Sequence, residues 1–116
     1  MATLSARNGT LAVRFTRVEK VFGLLRDHDY PLSAVLSVAT EPDGLGAVRG
    51  IRAPGLGLPG VARIGTFYSS DGKTLASVTR DRGAVIVRLV GEKFDRLVIG
   101  ADDPRGCARE LNAARR

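Results

Sequence analysis

Phe94-Asp95-Arg96-Leu97-Val98-Ile99-Gly100, followed at once by Asp102-Asp103-Pro104, is the stretch whose reading decides the fold. Its first seven residues are rich in aromatic and β-branched side chains and stop at a Gly, the signature of a strand. Asp103 then offers a carboxylate oxygen to the unpaired amides of a helix start. Pro104 suits the first helical position, where a missing N–H costs nothing. Cys107, Leu111 and Ala114 follow at helical spacing and form the expected buried stripe. A last strand leading into one amphipathic helix predicts a small, half-open sheet structure with that helix laid over its open side.

Working back from this point, Ala84 to Val90 reads as a strand, and Asp81-Arg82-Gly83 as a tight turn before it. Lys73 to Arg80 and Val61 to Ser69 read as a hairpin around Asp71-Gly72, so the second half is expected to be a β-meander. Glu41 to Gly60 carries four Pro or Gly clusters and reads as a long loop with one helical turn around Leu45 to Arg49. Ala34 to Thr40 is a further strand.

At the other end, Leu11, Val13 and Phe15 alternate with polar or small residues, as in a strand with one buried face. Thr16-Arg17-Val18-Glu19 matches a capping box, with Val18, Val21, Phe22 and Leu25 as the apolar positions of a short helix. Asn8-Gly9-Thr10 reads as a polar turn ahead of the first strand. The expected layout is a disordered N-terminus over residues 1–9 and a single domain over 10–116.

Composition is that of a globular protein, 44% apolar and 26% charged, with aromatic residues scarce at 5%, so the core must be aliphatic. No segment approaches the ~20 apolar residues of a spanning helix, and the N-terminus lacks the apolar run of a signal peptide. One Cys allows no internal disulfide. The expected location is the cytoplasm, with a peripheral position at the inner face of the membrane compatible with the charge. That charge is +6, carried by fifteen Arg and three Lys, and it favours acidic partners of any kind.

Three motifs are weighed and set aside. Gly55-Leu56-Gly57-Leu58-Pro59-Gly60 satisfies G-x-G-x-x-G, yet a Pro-rich segment precedes it and β-branched residues follow, where a dinucleotide site needs a strand and then a helix. No cofactor is expected. Asp27-His28-Asp29 reads as an exposed turn, because neighbouring side chains diverge and no further His or Cys ligands lie near, so no metal is expected. Cys107 has no partner base and behaves as a small apolar residue. Phe15, Phe22, Phe67, Tyr68 and Phe94 fall in core patterns, leaving Tyr30 as the one ring expected to be exposed, too little for base stacking. Nucleic acid is disfavoured, and no catalytic residue is found.

The remaining candidate is a contact surface. Leu56 and Leu58 form an apolar tip beside Arg49, Arg52 and Arg63, a pairing suited to a membrane surface or a protein partner.

The order of strand, short helix, later strands, then Phe94-Asp95-Arg96-Leu97-Val98-Ile99 leading through Asp102-Asp103-Pro104 into Cys107-Ala108-Arg109-Glu110-Leu111, resembles bacterial pleckstrin-homology-like (PH-like) domains. The stretch from Arg49 to Gly60 is similar to one in small bacterial proteins of this type, and the likeness runs from Thr10 to Ala114. It implies a mainly β (α+β) fold: a partly open barrel of six to seven antiparallel strands, with a C-terminal capping helix and a short helix after the first strand. It further implies a non-catalytic binding module, with a protein partner, an anionic membrane surface or self-assembly into a homo-oligomer as expectations. Eukaryotic relatives hold phosphoinositides with basic residues around the first hairpin; here Lys20 and Arg26 lie in that region without a matching motif. A small nucleic-acid-binding β-barrel is the alternative.

Overall fold

The structure, a computed structural model, describes residues 2–23, 26–48, 51–58, 62–70 and 72–115, with side chains for all of these except 21–23 and 51–58. The chain is mainly β, arranged as two sheets. Strands β1 (Thr3–Arg7), β2 (Thr10–Arg14) and β3 (His28–Pro31) form an antiparallel sheet in that order. The other six are β4 (Val35–Glu41), β5 (Ile51–Leu58), β6 (Ala62–Ser69), β7 (Gly72–Thr79), β8 (Ala84–Leu89) and β9 (Arg96–Gly100), in the order β4-β8-β9-β7-β6-β5. Helices α1 (Arg17–Gly23), α2 (Gly44–Ala47) and α3 (Pro104–Ala114), with a 3₁₀ turn over Leu32–Ala34, complete the described elements.

Residues 1–9, expected to be disordered, contain β1. The cause is the Asn8-Gly9 turn: both residues take positive φ, 52° and 77°, and Arg7 pairs with Thr10 across them. That is the two-residue hairpin geometry whose twist matches its strands.

The second half is no simple meander. β9 inserts between β7 and β8, antiparallel to β8 and parallel to β7, so the expected six to seven antiparallel strands become, among the described residues, nine with one parallel pair. Because β9 is the central strand, buried on both faces, its Leu97-Val98-Ile99 run is continuously apolar rather than alternating.

The long loop expected over Glu41 to Gly60 holds its expected helical turn, as α2, but also the strand β5. β5 is an edge strand, and its register shifts between Arg52 and Gly55, the one setting in which Pro54, lacking an N–H, is tolerated in a sheet. Hydrogen bonds to β6 override the poor strand propensity of the segment. At the β6–β7 hairpin the register pairs Ser69 with Gly72, so the reversal falls one residue earlier than expected. Gly72 has φ 116°, and any side chain there would overlap the Asp95 carboxylate, which accepts from the Lys73 amide at 2.9 Å.

The main core lies between the sheets, built from Leu11, Val13, Val35, Leu75, Val85, Val87, Leu97 and Ile99. α3 packs on β1 and β4 and covers the open side with Leu111, 2% exposed. Asp103 caps it by accepting from Gly106 N at 3.1 Å, with Pro104 at the helix start, as expected. The buried stripe differs by one position, however: Ala108 is buried and Ala114 exposed.

α1 opens with the expected capping box. Glu19 Oε1 accepts from Thr16 N at 3.0 Å and Thr16 Oγ1 at 2.9 Å, while Glu19 N donates to Thr16 Oγ1 at 3.3 Å. Val18, expected on the apolar face, is exposed.

On the outer face of the six-stranded sheet a smaller core of Val48, Phe67, Ala76, Val78, Ala84 and Val98 lies under α2. The Cα radius of gyration, 12.8 Å, matches the roughly 13 Å of a packed globule this size.

Candidate functional site

Side chains alternate along a strand, so Ala84, Ile86 and Arg88 of β8 share a face with Arg96 and Val98 of β9. Ile86 and Val98 pack beneath α2, which makes this the outer face. Arg88 and Arg96 are direct cross-strand partners on it. Two unit charges held opposite one another repel, and an anion between them removes that repulsion.

α2 is only one turn long, and its closing carbonyls have no helical partners. Two guanidiniums take them: Arg96 Nη2 donates to Ala47 O at 2.5 Å and Arg63 Nη1 to Val48 O at 2.6 Å. Arg63 and Arg96 are thereby brought to adjacent carbonyls, with Arg88 beside Arg96. Arg88 itself is exposed and has no hydrogen-bond or ion-pair partner among the described residues. The three arginines form a basic patch around the end of α2.

Of the five residues expected to make a contact surface, Arg63 is in this patch. Arg49 lies outside the described residues. Arg52, Leu56 and Leu58 belong to β5, paired in register with Phe67, Ile64 and Ala62. Their side chains lie outside the description.

A second cluster joins β3, β7 and the segment before β9. His28, expected in an exposed turn, sits on β3 with its ring stacked on Tyr30 at 5.6 Å and edge-on to Phe94 at 5.5 Å. Burial lowers its pKa, and Lys93 adds to that. Tyr30, expected to be exposed, is buried, and its burial lifts the phenol to about 12. Among the described residues the exposed ring is Tyr68, at 45%, with Lys73 Nζ 5.5 Å from its centre and 4.8 Å from that of Phe94.

Cys107 is half-buried at a cleft of about 330 Å³ between β1, β9 and the start of α3, and burial raises its thiol pKa. That direction opposes thiolate chemistry. A second cavity, about 280 Å³, lies beside Glu19, Ser77, Thr79 and Arg82. Glu19 is 6% exposed and its Oε2 accepts from Ser77 Oγ, so this buried carboxylate ties α1 to β7. Among the described residues no group of three His, Cys, Asp or Glu is placed to hold a metal, and no helix is long and apolar enough to cross a membrane.

No protein-family model matches the chain, and neither a curated protein nor a solved structure matches it.

Sequence reading reached Arg63 through its neighbours but missed Arg88 and Arg96. They stand eight residues apart in the chain and meet only because β8 and β9 pair antiparallel.

Proposed function

We propose that this chain is a non-catalytic, PH-like binding module that meets an anionic membrane surface through the outer face of its six-stranded sheet. The observation that carries the reading is the opposed pair Arg88 and Arg96 with Arg63 beside the end of α2. Two packed sheets with a C-terminal helix across the open side support the PH-like comparison, while the parallel β7–β9 pair and the placement of α1 between β2 and β3 depart from it. The net charge of +6 acts in the same direction.

Sedimentation with vesicles of phosphatidylglycerol or of phosphatidylcholine tests this. The anionic vesicles capture the protein, salt weakens the capture, and the neutral ones leave it in solution. Arg88→Glu changes the local charge by two, and at about 1 kcal/mol per charge near the surface the affinity falls roughly thirtyfold. Equal behaviour toward both vesicles, or capture unaltered in Arg88→Glu, removes the proposal. Salt-sensitive binding of an oligonucleotide without vesicle binding points instead to the nucleic-acid reading.

A further inference from the structure

Four large apolar side chains stand exposed among the described residues, Val18, Leu36, Tyr68 and Val90, and two of them come together. Val35 pairs with Leu89 and Ser37 with Arg88, so Leu36 is the extra residue of a β-bulge. Val35 and Leu89 are buried in the main core, whereas Leu36 is 59% exposed and stands beside Arg88. Val90 N donates to Ala34 O at 2.9 Å, which carries the pairing of the two strands one step further. Strand alternation then puts Val90, 54% exposed, on the same outer face as Arg88, two residues along. Leu36 and Val90 thus flank Arg88.

Cations stand on both sides of this pair. Arg96 lies across from Arg88 on β9, and the last turn of α3 brings Arg115, whose Nη2 donates to Leu36 O at 2.8 Å and to Val35 O at 3.3 Å. That hold takes up the carbonyls of the sheet edge, so this corner offers a partner its side chains. The acids near it in the chain turn elsewhere. Asp95 accepts from Lys73 N at 2.9 Å on the β7 side, the charge of Glu92 acts on the buried Tyr30 of β3, and Glu41 stands at the far end of β4. A hydrophilic acidic partner would leave the apolar pair in water, and an apolar one would leave the guanidiniums without a counter-charge. Anionic groups lying over hydrocarbon satisfy both.

We propose, resting on the membrane reading of this face, that Leu36 and Val90 insert between the headgroups of an anionic bilayer while Arg88 and Arg96 hold lipid phosphates. Two side chains reach no deeper than the boundary between headgroups and acyl chains, and the longer arginines bend back to the phosphate level along their methylene stems. The partner is accordingly a loosely packed anionic surface, unsaturated or strongly curved, and not any negative charge.

The sequence contains no Trp, so a single introduced indole reports its own surroundings. Leu36→Trp and Val90→Trp are mixed with dioleoyl phosphatidylglycerol vesicles, with and without bromine on the acyl chains. Val18→Trp, on the helix that packs against β5 and β6, is the control. At positions 36 and 90 the emission shifts to the blue and brominated lipid quenches it; at position 18 neither happens. Leu36→Ser and Val90→Ser, at exposed sites that leave the melting temperature unchanged, each weaken capture about tenfold. Capture of the parent chain with positions 36 and 90 unquenched, or with position 18 quenched as strongly, overturns the insertion and leaves the membrane reading standing. No capture at all overturns both. A blue shift that grows with protein concentration in the absence of vesicles assigns the pair to a contact between copies and overturns the insertion as well.

Discussion

His28 shows at the scale of one residue how position changes chemistry. Its ring is held between Tyr30 and Phe94, and burial, reinforced by Lys93 and Arg26 and opposed by Asp27 and Asp29, lowers its pKa from 6.5. The folded chain therefore binds this proton less readily than the unfolded chain. The stability His28 confers is complete above pH 6.5 and is lost as pH falls from there through the lowered folded value. Asp27, whose carboxyl accepts from Phe15 N at 2.8 Å and is held below 3.8 by that bond and by Lys20, contributes above 3.8 and fails only in stronger acid. Urea midpoints measured from near pH 7 to near pH 5 are expected to fall, and His28→Gln to flatten the slope in that window. A slope unchanged in His28→Gln assigns the titration elsewhere.

At the scale of elements, α1 depends on one carboxylate that works in two directions. Glu19 closes the capping box with one oxygen and receives Ser77 Oγ with the other. Glu19→Ala removes the box and strands a buried hydroxyl, at a cost of about 1–3 kcal/mol in denaturant unfolding, whereas Ser77→Ala costs about 1 kcal/mol. Equal stability of Glu19→Ala and the parent chain would show that α1 is held by other contacts. The box and the cap of α3 were legible in the sequence because both are local: Thr16 and Glu19, Asp103 and Gly106 lie three residues apart. The first hairpin was also within reach, since Asn-Gly is a strong hairpin signal and Asn8-Gly9 reads as a turn, though without a strand on its N-terminal side. β5 was not, because a segment with Pro54, Gly55 and Gly57 becomes a strand only through its partner β6. The site failed for the same reason. Arg63 was named for neighbours in the chain, while Arg88 and Arg96 are brought together by strand order.

Strand order also governs the whole molecule. β9 pairs with both β7 and β8, neither of which pairs with the other, so it is the strand that makes the six-stranded sheet continuous. Its Leu97, Val98 and Ile99 are at most 1% exposed and contribute to the cores on both faces. A chain ended after Lys93 lacks that strand and α3, and is expected to show no cooperative melting by circular dichroism. Retention of a sharp transition near the parent temperature would mean that the remaining strands close up without it. The arrangement has a consequence for how the protein is made. Synthesis delivers β4 to β8 first, as two half-sheets with facing unpaired edges, and the strand that joins them leaves the ribosome only afterwards. For that interval the nascent chain exposes the backbone and apolar rows of β7 and β8 together, so the step most open to chaperone capture, or to mispairing with a neighbouring chain, is the wait for residue 100.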